Sequence, residues 1–312
     1  MKERQIVMDL CTIFAHKVKI GCTLDEKQME MQTLNKKADA TREKDIYRVT
    51  VVGSVVNFLL LVFKFFAGIV GHSAAMLADA GITPDYAAGL SLGEYSALEC
   101  AGVFDAKTAI SLVAFRGQAM ADAVQGRPCG MAAVLGMDRD ALKAVCTEAS
   151  DAGVVECTNF NCPGQIVISG DAAAVDKAGE LAKAAGAKRV LPLKVSGPFH
   201  TSLMAPAGDA LREKFQSVDF GAMEIPVLFN CLGDLKGEAD TIPNLLEQQV
   251  QSSVYLEDTI RRLGELGVDT VVEIGPGRTL SGFVKKTVKG IKCYPVETAE
   301  ELQAAIAALR GE

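Results

Sequence analysis

The strongest constraint on how this chain can fold is the order of short β-prone runs and amphipathic helical stretches between residues 130 and 195. It reads strand (130–136), helix (138–150), strand (153–161), strand (164–170), helix (171–186) and strand (187–195), with "NCPGQ" turning the chain between the two middle strands. That β-α-β-β-α-β order is the split-βαβ, ferredoxin-like pattern. The same alternation continues on both sides, which is the α/β signature for residues 81–312. "DYAAGL" (85–90) reads as a small-residue strand and "LGEYSALECAG" (92–102) as a helix. A longer helix over 105–124 has Asp105 as its N-cap. "IPVLFN" (225–230) and "DTVVEIGPG" (269–277) suit buried parallel strands. "IKCYPV" supplies a last short strand. The simplest description is an α/β core carrying an inserted ferredoxin-like subdomain at about residues 126–195.

The first 80 residues are of another kind. Residues 1–40 are polar and weakly periodic, assignable only as helix or loop. Residues 41–80 begin with the basic "TREKDIYR" and continue into the apolar "TVVGSVVNFLLLVFKFFAGIV" (50–70), giving an apolar helical segment. Its length suits a bilayer span of about 20 residues. Lys64 and Asn57 oppose insertion, a central Lys costing roughly 2.5–3.5 kcal/mol. A membrane-associated helix and a buried soluble helix both fit this stretch.

In "GLSLG" (89–93) the chain shows G-x-S-x-G between a predicted strand and a predicted helix. There the pattern forms a tight turn for which Gly89 and Gly93 leave room, and Ser91 Oγ projects at the start of the helix. The helix dipole and the Leu92 N–H then favour a developing oxyanion. A Gly-rich turn with a surface serine is the plain alternative. A serine nucleophile needs a base. The chain has three histidines, His16, His72 and His200, and only His200, in "KVSGPFHTSLM", follows Ser91. His16 and His72 lie outside the segments that read as this domain, so elimination favours His200 as the base over a structural or exposed histidine. Arg116 shares a helical stripe with Ala109, Val113 and Met120, so it is either paired with a carboxylate of the protein or held for an anionic ligand. The turns "NFNCPGQ" and "EIGPGRTL" read as structural.

Composition narrows the partners. Lys+Arg is 32 against Asp+Glu 39, a net charge of −7, with no basic cluster, which argues against nucleic acid. The nine cysteines form no C-x-x-C pair, so zinc and a disulfide framework are not expected and no metal is assigned. They fit a reducing, cytoplasmic setting. "MKERQIVMDL" lacks the apolar region and cleavage site of a signal peptide.

From about residue 81 to the C-terminus the motifs "GLSLGEYSAL", "RG" (116–117), "NFNCPGQIVISG", "AGAKRVLPLKVSGPFHTSLM" and "EIGPGRTLSG" resemble, in order and spacing, the malonyl-CoA:acyl carrier protein transacylases of bacterial fatty acid synthesis. The resemblance implies an α/β-hydrolase-like acyltransferase core with Ser91 as nucleophile, His200 as base and Arg116 as the partner of the malonyl carboxylate. It implies that the main-chain carbonyl of Gln249 orients the histidine, that the Leu92 N–H serves the oxyanion, and that Leu90 and Phe199 bear on specificity. It implies no cofactor, coenzyme A entering as the thioester substrate, and malonyl-CoA and acyl carrier protein as partners. Leu90 stands where many members have histidine. No Gly-Gln-Gly occurs in residues 1–80, so the family's N-terminal strand and oxyanion loop are expected to be missing. Residues 47–80 are similar instead to the first transmembrane segment and the start of the second in cation diffusion facilitators, with Asp79 matching a metal-binding aspartate of the second, but Thr83 replaces the partner aspartate and no other transport helix follows, which excludes a working transporter. An inactive fused or truncated acyltransferase, and an esterase-like hydrolase using Ser91 and His200, are the alternatives.

Overall fold

A computed structural model describes residues 81–194 and 197–311. The expected segments at 1–40 and 41–80 lie outside the described residues. Among those described, no helix is long and apolar enough to cross a membrane.

The core begins with β1 (Ala87–Ala88), the turn holding Ser91, and helix α1 (Gly93–Cys100). β1 is shorter than the 85–90 run suggested because the Gly89 carbonyl is diverted to a side chain, Asn230 Nδ2 at 2.6 Å, and the chain then turns sharply. Helix α2 (Ala106–Asp122) starts at Asp105, whose carboxylate accepts from the Thr108 N–H at 2.7 Å as an N-cap should. Its buried stripe is Ala109, Leu112, Val113, Arg116, Ala119 and Met120, so the arginine expected on that stripe is indeed packed inward.

The subdomain follows as β2 (Cys129–Leu135), α3 (Arg139–Ala149), β3 (Val155–Cys162), β4 (Gln165–Asp171), α4 (Ala172–Ala184) and β5 (Arg189–Pro192). Its sheet is antiparallel in the order β3-β4-β2-β5, the arrangement that a split-βαβ sequence produces. β5 is shorter than the 187–195 run, and its Pro192 sits on an edge strand, where proline is tolerated, with the Leu193 N–H still donating to the Met131 carbonyl of β2 at 2.8 Å. Leu142, Val145 and Cys146 of α3 and Ala174, Val175 and Ala178 of α4 pack on Ile166 and Ile168 of β4 as a separate apolar cluster.

The chain returns to the core through α5 (Ala205–Phe215), β6 (Val227–Phe229), β7 (Asp234–Leu235), α6 (Ile242–Gln251) and α7 (Leu256–Glu265). β6 is fully buried and pairs parallel with β1, Ala87 opposite Val227, which explains its unbroken apolar run. The run at 269–277 behaves differently. β8 (Thr270–Ile274) is only half-buried and pairs parallel with β9 (Lys292–Val296) in its own two-stranded sheet, with α8 (Thr279–Thr287) between them. Pro276, lacking an N–H, and the glycines flanking it end that strand early. α9 (Ala299–Arg310) closes the chain, begun by a Thr298–Glu301 capping box.

Contacts near the start of α7 are among those that join subdomain and core. Val254, between α6 and α7, donates to the Thr158 carbonyl at 2.8 Å and accepts from the Phe160 N–H at 2.9 Å. Arg139 of α3 pairs with Glu257 and Asp258 of α7 at 3.1 and 2.8 Å and lies over the Phe160 ring. Seven cysteines among the described residues are free thiols, four of them buried.

Leu142 is wholly buried at the centre of the subdomain. Leu142→Ala is therefore expected to lower unfolding free energy by about 2–5 kcal/mol, read from the urea midpoint at unchanged slope.

Candidate active site

Ser91 lies in the turn between β1 and α1 with φ of 52°, a left-handed conformation unusual for a residue with a side chain. Gly89 makes the turn possible. A Cβ there would stand 2.0 Å from the Gly93 carbonyl oxygen, an impossible approach. Gly93 proves different from expectation, since a Cβ added to it meets nothing among the described residues. Both ends of the Ser91 peptide unit are tied to distant elements. Its N–H donates to Asn230 Oδ1 at 2.6 Å, and its carbonyl accepts from Gln249 Nε2 at 2.9 Å.

His200, in the loop between β5 and α5, also has positive φ, 63°, and is buried. Its Nε2 is 2.7 Å from Ser91 Oγ and its Nδ1 is 2.8 Å from the Gln249 carbonyl oxygen. A carbonyl only accepts, so Nδ1 carries the proton and Nε2 is left to accept from the serine hydroxyl. Burial, followed by the charge of Arg116, pushes the His200 pKa down to about 4, which keeps the ring neutral.

Arg116 enters from α2 and is 5% exposed. Its Nη2 donates to Ser91 Oγ at 3.0 Å and to Gln249 Oε1 at 3.0 Å. It makes no salt bridge among the described residues, although burial alone opposes its charge and lowers its pKa. The guanidinium also lies 5.8 Å from the centre of the buried Tyr95 ring. Gln249 thus touches all three partners, through its carbonyl, its amide oxygen and its amide nitrogen.

Leu92 is the residue from which α1 starts, so its N–H sits at the positive end of that helix. Leu90 is half-buried against Cys162, Leu256 and Phe283, at the junction of core and subdomain. Phe199, beside His200, packs between the core cluster and Met131, Ala133 and Val167 of the subdomain sheet. His16 and His72 lie outside the described residues. No group of three or more His, Cys, Asp or Glu among the described residues is placed to hold a metal ion.

Two residues of the site were missed by the sequence reading, Glu94 and Asn230. Asn230 follows β6 and bonds both Ser91 and Gly89. Glu94, in the first turn of α1 and wholly buried, accepts at Oε2 from the Asn230 main-chain N–H at 2.6 Å and from its side-chain amide. Burial pushes the Glu94 carboxyl up to about 7 against the pull of those hydrogen bonds and of Arg116. The available signals were an asparagine at the carboxyl end of a buried strand, where α/β sites gather, and an acidic residue on the turn that follows the serine.

Chemically, this is a serine hydroxyl with a neutral imidazole to take its proton, beside a desolvated cation that makes no salt bridge among the described residues. The arrangement can form an acyl-serine and can hold an acyl group that ends in an anion.

The profile of a known family, the acyl transferase domain, matches residues 61–307. A malonyl CoA-acyl carrier protein transacylase of Bacillus subtilis is 41% identical over 297 residues, covering 94% of this chain and 93% of that protein. The crystal structure of a Streptococcus pneumoniae protein named MCAT superposes with a TM-score of 0.74 at 40% identity, covering 81% of this chain and 84% of that one. A malonyl-transacylase solved in complex with a type II PKS acyl-carrier protein superposes at 0.74 with 39% identity, over 78% of both chains. The family profile begins inside the apolar run, upstream of the expected boundary at 81, and the Bacillus alignment takes in most of residues 1–80. The likeness of residues 41–80 to a cation diffusion facilitator thus finds no support.

Gly89→Ala should destabilise the fold by about 1–3 kcal/mol or more, because the added carbon meets backbone and not a mobile side chain. The same variant should lose reaction of Ser91 with a fluorophosphonate, measured alongside the thermal midpoint.

Proposed function

The chain belongs to the acyl transferase domain family and, within it, to the malonyl CoA-acyl carrier protein transacylases, and from that premise we propose how its site works. The enzyme moves the malonyl group from malonyl-CoA to the phosphopantetheine thiol of acyl carrier protein through a malonyl-serine ester, a step of fatty acid or related acyl-chain synthesis. Arg116 takes the malonyl carboxylate as a charge-assisted pair, supplying the counter-ion that the buried guanidinium lacks. Ser91 Oγ attacks the thioester carbonyl while His200 Nε2 accepts its proton, and the imidazolium is steadied by the Gln249 carbonyl on Nδ1. The Leu92 N–H, at the start of α1, donates to the oxyanion of the tetrahedral intermediate. Coenzyme A leaves as its thiol, taking the proton from His200. The carrier thiol then gives a proton to His200 and attacks the ester, and collapse expels Ser91 Oγ, which takes that proton back from His200 Nε2 as the malonyl thioester leaves. No cofactor is needed, since the thioester is the substrate.

Leu90 and Phe199 flank this centre where core meets subdomain, a placement suited to selecting the acyl group and excluding water. We assign the chain to the cytoplasm, where both substrates are made, and assign no transport role to residues 41–80. Acyl carrier protein and malonyl-CoA are the partners, and no nucleic acid is.

One observation carries the reading: a buried arginine, unpaired among the described residues, donates to the nucleophile itself at 3.0 Å. A simple esterase has no use for it. The assembled Ser91, His200 and Arg116 also argue against an inactive remnant.

Incubation with malonyl-CoA followed by intact-mass measurement is the direct test. A malonyl adduct should form in the parent and vanish in Ser91→Ala, and release of free malonate without transfer to carrier protein would favour a hydrolase instead. Arg116→Ala should lower kcat/KM for malonyl-CoA by about 10²–10³-fold, equivalent to about 3–4 kcal/mol, while leaving acetyl-CoA little affected. The pH profile follows from His200. Its folded pKa lies below the ordinary 6.5, so the base is competent above about pH 4 and kcat/KM should fall only as pH drops through that value. A bound carboxylate offsets the Arg116 charge that helps depress the ring, so the acidic limb of kcat should lie at higher pH than that of kcat/KM.

A further inference from the structure

Glu94 and Asn230 take no part in the transfer chemistry above, yet both are buried against the nucleophile. We propose that Asn230, held in place by Glu94, is a positioning residue for Ser91, fixing the turn so that Oγ meets both His200 and Arg116. The proposal rests on the reading of Ser91 as the acyl-accepting nucleophile.

A residue with a side chain stays at positive φ only where its surroundings over-determine it. Asn230 supplies two such restraints, one on each side of Leu90. Oδ1 accepts from the Ser91 N–H at 2.6 Å and Nδ2 donates to the Gly89 carbonyl at 2.6 Å. An amide can do both in one orientation only. If it were flipped, its oxygen would face the Gly89 carbonyl and its nitrogen the Ser91 N–H. Glu94 enforces the working orientation, because its Oε2 also accepts from Nδ2 and would confront a flipped amide oxygen. The same carboxylate accepts from the Asn230 main-chain N–H at 2.6 Å, fixing where the residue leaves β6. The loop of bonds closes on the turn, since the Glu94 N–H donates to the Ser91 carbonyl at 3.2 Å.

Precision matters here because the other groups arrive from separate elements. His200 and Arg116 stand 2.7 and 3.0 Å from Oγ, hydrogen-bond contacts that a shifted turn would break. A misplacement of about 1 Å costs on the order of 10²-fold in rate. Binding of the malonyl carboxylate does not pass through Asn230, so loss of positioning should fall on the chemical step and not on KM.

The test uses the full chain and the variants Asn230→Ala, Glu94→Ala and Glu94→Gln, with two probes. One is single-turnover acylation by malonyl-CoA. The other is labelling by a fluorophosphonate, which needs Ser91 and His200 but no carboxylate contact with Arg116. Rates are expressed per folded molecule, established by thermal melting. Asn230→Ala and Glu94→Ala should slow both probes by about tenfold or more, with KM for malonyl-CoA within about threefold of the parent. Glu94→Gln, whose amide oxygen can still accept from Asn230, should recover most of the loss seen in Glu94→Ala. If Glu94→Ala does not fold, Asn230→Ala decides alone. A folded Asn230→Ala that reacts at the parental rate with both probes overturns the proposal, as does Glu94→Gln reacting as slowly as a folded Glu94→Ala. A parent labelled by fluorophosphonate yet never acylated by malonyl-CoA would sink the transferase reading, while the labelling rates still judge the positioning.

Discussion

The peptide unit of Ser91 is held at both ends, its N–H by Asn230 and its carbonyl by Gln249, and the rest of the site depends on that grip. A left-handed serine is not a local minimum that its own sequence can secure. Neighbours 139 and 158 residues away secure it. The glycine at 89 removes the one steric obstacle, and β1 pairs with β6 so that Asn230 emerges beside the turn. The parallel pairing of two short, buried strands is therefore part of the chemistry as well as of the core.

Gln249 is the point at which three requirements meet. Its carbonyl sets the histidine tautomer, its amide oxygen takes a proton of Arg116, and its amide nitrogen holds the serine carbonyl. α6 can present it so firmly because Leu245, Leu246 and Val250 on the same helix are buried in the core. A few residues further on, Val254 bridges to β3 of the subdomain. The segment that orients the base thus also bridges core and subdomain, and Leu90 and Phe199 lie along that junction.

Burial supplies the electrostatics. A desolvated arginine without an ion pair is costly, and it is retained here next to a neutral imidazole whose own pKa the same burial depresses. In the resting site the guanidinium makes no salt bridge among the described residues, the buried Glu94 carboxyl acting on it only from a distance.

Much of this was readable in the sequence, for reasons of periodicity. The β-α-β-β-α-β order was legible because strand and helix periods and a Gly/Pro turn are local properties, and the ferredoxin-like sheet order follows from them. Asp105 as a cap and Arg116 on a buried stripe were legible for the same reason. Strand ends were not. β1 and β8 are cut short by a diverted carbonyl and by a proline between glycines, and β8 pairs with β9 in place of joining the core sheet as a buried strand. Ser91, His200, Arg116 and Gln249 were each nameable from motif and resemblance, but Glu94 and Asn230 were passed over, since a strand-end asparagine and an acidic first-turn residue signal a site without saying that the two meet. By itself the sequence determined which elements form and which groups can react, because short-range sterics, capping and the hydrophobic period act within a few residues. Only the tertiary structure decided what holds the serine in its strained turn, that the Gln249 side chain ties the serine carbonyl to the arginine, and that the arginine makes no salt bridge among the described residues. Those outcomes rest on hydrogen bonds and burial between segments far apart in the chain, about which local rules carry no information.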